Sequence, residues 1–228
     1  MATRTRLELE RLESRCLLAV RVFVTDGDLF VIGDAGNDLI FIEQVGFQRY
    51  DVIGNGGTDI IGDPDDVVTV RVRDDFRISL GAGNDKIKLD GPNSVNGRLT
   101  VPDELFINMG SGNDRVRLFT VRVPDNVTIN TGTGADDVDI FDTRFGDDSD
   151  FYLNTGDDAD TVEILRSFFG DEVEIYLGRG TDTMTVCDCV FTDETLFAGG
   201  RDNDGLFHLN AYLDDFERFG FEVVANCD

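Results

Sequence analysis

The chain has 228 residues, which allows one large or two small domains, and 41% of them are hydrophobic, enough for a sizeable core. Twenty Lys and Arg against 46 Asp and Glu leave a formal charge of −26, spread along the chain, which argues against nucleic acid or anionic lipid as a partner and for a cation. No stretch approaches the roughly 20 apolar residues of a membrane helix, because the one apolar run near the start, CLLAV, stops at Arg21, so no membrane span is expected.

Residues 1–20 carry the only helical periodicity, TRTRLELERLESRC, with Arg4, Arg6, Arg11 and Arg15 set among Leu and Glu. The apolar part is too short for a conventional secretory signal. LERLESRCLLA resembles the Leu-Glu-x-Leu-Glu-x-Arg-x-Leu-Leu segment near the start of many exported planctomycete proteins. That resemblance implies an extracellular or cell-surface location; an ordinary capping helix is the alternative reading.

From residue 21 to 208 a Gly-rich turn recurs. Aligned on its aspartate, it falls at Asp38, Asp59, Asp85, Asp114, Asp136, Asp160, Asp182 and Asp204, with spacings of 21, 26, 29, 22, 24, 22 and 22. A near-constant period of this size means a solenoid, here of about eight coils. Ten residues before the later aspartates stand Asp75, Glu104, Asn126, Asp150, Glu172 and Glu194. The second column copies the irregular spacing of the first, so the residues between them form a rigid unit and insertions fall after the Gly-rich turn.

Between the two columns run alternating segments, FRISL, LFINM, VTINT, FYLNT, VEIYL and TLFAG, and after each aspartate comes another: KIKL, RVRL, DVDI, TVEI and TMTV. Two strands, two turns and a variable return make one coil, and such coils stack by parallel pairing. The expected fold is all-β, a right-handed parallel β-helix. Ile87, Val116, Val138, Val162, Met184 and Leu206 should stack inside, with Lys86, Arg115 and Asp137 outside. Glycine suits corners that need positive φ or close approach of the next coil. Stacked aspartates about one strand spacing apart repel unless something neutralises them.

The motif resembles the Gly-Gly-x-Gly-x-Asp-x-apolar-x nonapeptide of RTX or haemolysin-type repeats, whose turns bind Ca²⁺ through aspartate carboxylates and backbone carbonyls. The resemblance implies calcium at Gly81, Gly83 and Asp85; at Gly110, Gly112 and Asp114; at Gly132, Gly134 and Asp136; and at Asp38, Asp59, Asp160, Asp182 and Asp204. Departures stand beside the matches. The family's first Gly is Leu80, Met109, Thr131, Thr155 or Leu177 here, Asp158 and Asp202 replace a core Gly, and there is one motif per coil rather than two. A column in which each Asp hydrogen-bonds its turn, with no ion, stays open as the alternative.

The sole histidine, His208, takes the position of Leu89 and Leu118, so a structural role is expected, and no catalytic constellation gathers around it. Cys187 and Cys189 would share one face of a regular strand, and Cys227 is placed to staple the end of the chain to one of them in an oxidising compartment; Cys16 is the fourth cysteine. Residues 209–228 break the rhythm and read as a C-terminal cap that uses Phe216, Phe219 and Phe221. The functional expectation is an exported, acidic, calcium-binding structural or adhesive module. Its partners would be calcium ions and cell-surface polysaccharide or other surface proteins. A polysaccharide-active β-helix enzyme and a ligand-free repeat are the alternatives.

Overall fold

The computed structural model of the chain describes residues 19–94, 96–209, 211–213 and 215–225. The expected helix and the export-like motif lie outside the described residues, and Ala19 already opens a strand. The described residues form strands and turns only, and among them no helix is long and apolar enough to cross a membrane.

Parallel pairing stacks the coils into three sheets. The first contains Phe76–Ala82, Leu105–Ser111, Val127–Thr133, Phe151–Asp157, Val173–Tyr176 and Thr195–Ala198. The second contains Lys86–Asp90, Arg115–Phe119, Asp137–Phe141, Thr161–Leu165 and Thr183–Cys187. These are the two sets of alternating runs read from the sequence. The return segment is a third sheet of short strands, from Leu99–Thr100 through Val121–Val123, Arg144–Phe145, Phe168–Phe169 and Val190–Phe191 to Tyr212–Leu213.

Register agrees with the expected inner ladder. Ile87, Val116, Val138, Val162, Met184 and Leu206 are successive partners and all are buried. His208 pairs with Val186, the position of Leu89 and Leu118, and is half-buried. The third sheet adds an aromatic ladder that alternation alone did not mark: Phe145 packs on Phe169 with ring centroids 4.7 Å apart, and Phe169 stacks on Phe191 at 4.6 Å. Each ring is fully buried, the kind of site where an aromatic contributes most to a core.

The corner into the third sheet is held by non-glycine residues in the left-handed region: Thr120, Asp142, Arg166 and Asp188, with φ of 54°, 51°, 49° and 56°. Such a residue reverses the inside-outside alternation. Cys187 and Cys189 therefore do not share a face: Cys187 is half-buried on the outer side, while Cys189 is buried in the core.

The beginning of the solenoid departs from the expected coils, and there are about five turns rather than eight. Leu39–Gly46 and Arg49–Gly54 form an antiparallel hairpin, and Val67–Arg71 pairs antiparallel with the latter. Residues 49–71 are thus an excursion inserted between Leu39–Gly46 and Phe76–Ala82, and one coil, not two, separates Asp38 from Asp85. The same strands cover the end of the stack, a device that protects exposed parallel edges. At the other end Phe216–Phe219 and Phe221–Ala225 extend the first and second sheets in parallel. Phe216 and Phe221 pack against the core, whereas Phe219, expected to do the same, points outward at 61% exposure because it lies three residues from Phe216 on an alternating strand.

Candidate metal centre

Where the second sheet begins, the aspartates expected in one column do lie in one. Asp38, Asp85, Asp114, Asp136, Asp160, Asp182 and Asp204 are all buried, at 0 to 2% exposure. Asp59 is not among them. It is exposed on the short strand Asp59–Ile60, paired with Ala19–Thr25, because the column passes directly from Asp38 to Asp85. The resemblance that placed a ligand at Asp59 reads a turn of the excursion as a coil.

The carboxylates are joined by a repeated hydrogen bond. The N–H of Asp38 donates to Oδ1 of Asp85 at 2.7 Å, that of Asp85 to Asp114 at 2.8 Å, and that of Asp114 to Asp136 at 2.8 Å. The series continues from Asp136 to Asp160, Asp160 to Asp182 and Asp182 to Asp204, at 2.9, 2.8 and 2.9 Å. From Asp85 to Asp204 each carboxylate thus accepts from the adjacent coil, whereas Asp38 accepts from the N–H of Asp34 in its own turn, at 3.4 Å. The other oxygen, Oδ2, of Asp85, Asp114, Asp136, Asp160 and Asp182 is buried with no hydrogen-bond partner.

One residue earlier in the turn, a shorter ladder runs the opposite way. The N–H of Asn84 donates to Oδ1 of Asn37, that of Asn113 to Asn84, and that of Ala135 to Asn113, at 2.7, 2.8 and 3.0 Å. Asn84 and Asn113 sit in Gly-x-Gly-Asn-Asp turns and Asn37 in an Asp-Ala-Gly-Asn-Asp turn, yet the sequence reading passed over them. Their signal was the recurrence of Asn immediately before Asp.

The glycines answer to geometry. Gly81, Gly110 and Gly132 have φ of 107°, 108° and 108°, and Gly83, Gly112 and Gly134 have 136°, 125° and 117°. A Cβ on Gly110 would lie 1.8 Å from the carbonyl oxygen of Gly81, and one on Gly112 would lie 1.8 Å from that of Gly83. Coils approach too closely at both positions for any side chain. At Asp158, where glycine is replaced, φ is still 83°.

Burial is the largest influence on the carboxyls, and it favours their neutral form. It pushes Asp38, Asp114 and Asp182 up to about 6 and Asp160 to about 7, opposed at Asp114, Asp160 and Asp182 by the backbone N–H of the preceding coil and at Asp38 by that of Asp34, and assisted by neighbouring aspartates. Asp85 and Asp136 move the same way, again through burial first.

The opposite corner carries the second column, Asp75, Glu104, Asn126, Asp150, Glu172 and Glu194, in register through backbone bonds such as Phe76 N–H to the Glu104 carbonyl. At its start Asp28, Asp74 and Asp75 bring three carboxylates within 4.8 Å. Arg77 bonds both Asp28 and Asp75, so a guanidinium already supplies the countercharge there. The column differs from this corner in that its carboxylate oxygens without a partner are buried.

The donor set of the column suits a hard cation. It offers only oxygen, one unpaired carboxylate oxygen per coil from Asp85 to Asp182, beside turns that exclude side chains. Compared with known proteins, the chain matches no family model, no curated protein and no solved structure.

Proposed function

We propose that this protein is an exported, acidic calcium-binding β-solenoid that serves as a structural or adhesive surface module. The observation that carries this reading is the file of buried Oδ2 atoms on Asp85, Asp114, Asp136, Asp160 and Asp182. A buried polar atom left unpaired costs on the order of 1–3 kcal/mol, and more when charged, so several in one file call for a neutralising partner. Calcium is the cation whose oxygen-rich coordination this set matches, in contrast to the nitrogen and sulfur ligands of zinc.

The holding residues would be Asp85, Asp114 and Asp136 beside their intact glycine pairs, with Asp38, Asp160, Asp182 and Asp204 extending the file. Bound calcium would supply positive charge between coils. The chain's own residues do the rest: Oδ1 fixes each carboxylate to the next backbone N–H, and the glycines let the turns close. Export is supported by the N-terminal resemblance and by Cys187, which is disulfide-bonded, as is common in oxidising compartments.

The test is thermal unfolding at fixed ionic strength and pH 7.5, with chelator or with millimolar calcium. Ligand that binds only the folded state raises its melting temperature. The wild type should show that rise, Glu104→Gln should match it, and Asp114→Asn should lose much of it. A proton is the rival neutraliser, given the raised carboxyl values. Calcium should therefore matter less at pH 5 than at pH 7.5, and a melting temperature indifferent to calcium at both would sink the metal reading.

A further inference from the structure

A cleft lies away from the aspartate column, where the tip of the N-terminal hairpin meets the segment after the second-sheet strand Lys86–Asp90. It encloses about 650 Å³, in the range of small-molecule sites. Its lining includes Arg73, Arg98, Gln48, Asn96, Phe47 and the buried ring of Tyr50, but no Asp or Glu. In a chain with 46 acidic residues that exclusion is informative.

Three further observations converge on this place. No ion pair within 4.0 Å engages Arg73 or Arg98 among the described residues, so both guanidinium groups keep their charge available in the cleft, unlike those of Arg77, Arg115, Arg117, Arg144 and Arg166, though other arginines such as Arg122 and Arg179 are also without one. On the hairpin that carries Gln48 and Tyr50, outside the cleft lining itself, Arg49 and Arg71 stand directly opposite each other on antiparallel strands, a like-charge pairing that disfavours a sheet unless it is neutralised. At the hairpin tip Gln48 holds φ of 53°, a conformation costly for a residue with a side chain, and Phe47 beside it is 82% exposed.

We infer that this cleft binds an acidic saccharide. Guanidinium groups recognise carboxylate and sulfate through paired N–H donors. The amides of Gln48 and Asn96 both donate and accept, which suits hydroxyls. The exposed face of Phe47 offers an apolar platform for the C–H side of a sugar ring. The net charge of −26 does not forbid this, because exposed charges beyond about 8 Å are largely screened at physiological ionic strength. Arg73 and Arg98 are the charged residues of the lining, so theirs is the charge that a ligand in the cleft meets at contact distance. This inference is independent of calcium in the column.

The experiment is isothermal titration of the full chain with a uronic-acid tetrasaccharide, a sulfated tetrasaccharide and a neutral tetrasaccharide, in calcium and in chelator. At least one anionic probe should bind while the neutral one does not, and the two anionic arms identify the oxyanion. Arg73→Ala and Arg98→Ala should each weaken binding by about tenfold, the loss expected for one charged hydrogen-bonding group, with circular dichroism unchanged. Affinity should be similar with and without calcium wherever the fold is retained. The assignment is overturned if neither anionic probe binds, if both variants bind like wild type, if folded protein loses binding in chelator, or if an Asp/Glu-rich peptide of equal charge binds as tightly.

Discussion

The backbone N–H of Asp85 donates to Oδ1 of Asp114 in the following coil at 2.8 Å, so one oxygen of the Asp114 carboxylate is a fixed structural acceptor and the other, Oδ2, is buried with no hydrogen-bond partner. This division separates two substitutions at the same residue. Asp114→Ala removes the acceptor from a buried N–H and should destabilise the calcium-free protein by about 1–3 kcal/mol. Asp114→Asn keeps an acceptor and removes an ionisable group, so under the same conditions at pH 7.5 it should cost less than the alanine change or stabilise. Urea unfolding in chelator compares them, and equal losses would show that the Oδ1 bond contributes nothing.

The raised carboxyl values fix the sign of a pH dependence. The ordinary value is 3.8, and in the folded chain Asp38, Asp114 and Asp182 reach about 6 and Asp160 about 7. The native state therefore holds protons that the unfolded chain has released, and stability falls with rising pH across that window. In calcium-free solution the column's contribution is complete below about pH 4 and lost as pH passes through about 6 to 7. Asp160→Asn should flatten this slope. Melts of both proteins from pH 4 to pH 8 check it, and parallel profiles would refute the assignment.

Gly112→Ala would place a methyl 1.8 Å from the Gly83 carbonyl oxygen at φ of 125°, so several kcal/mol should be lost. Gly97 also has positive φ, 65°, but a Cβ there meets nothing within 4 Å. Gly97→Ala should cost only about 1 kcal/mol, the conformational part alone. Chemical denaturation of the pair separates close approach from backbone strain.

Val138 is buried between Val116 and Val162, while Thr161, paired with Asp137, is exposed. Val138→Asp should destabilise by several kcal/mol through an unpaired charge in the core. Thr161→Asp, which sets a second carboxylate opposite Asp137 at the surface, should cost at most about 1 kcal/mol. Thermal melts showing equal effects would place the wrong face inward.

Cys187 is disulfide-bonded and Cys189 is free and buried, with its thiol pushed up to about 11 mainly by burial. Cys16 and Cys227 lie outside the described residues, and the sequence reading pairs Cys227 with this end of the solenoid. Peptide mapping without reductant should show Cys187 crosslinked to Cys227, with Cys189 resisting alkylation until the protein is unfolded. Rapid native labelling of Cys187 would contradict the bridge.

The fold class was legible in the sequence because a solenoid repeats its local chemistry. Every coil needs glycine at the close approach, an apolar residue at alternate positions and an acceptor at the same corner, so Gly110, Val116 and Asp114 announce one another at a fixed period. The same logic misled at Asp59, since a Gly-x-Asp turn is equally good chemistry for a hairpin, and only long-range pairing of Leu39–Gly46 with Arg49–Gly54 reveals which it serves. Alternation could not foresee that Cys187 and Cys189 part company, because the left-handed φ of Asp188 is a property of the corner. Tertiary structure alone decided the direction of the carboxylates. Sequence places the aspartates in a column, but stacking turns Oδ1 to the adjacent coil's N–H and leaves Oδ2 buried. It also gathered Arg73 and Arg98 beside a cleft without acids, from segments whose charge gives no sign that they meet.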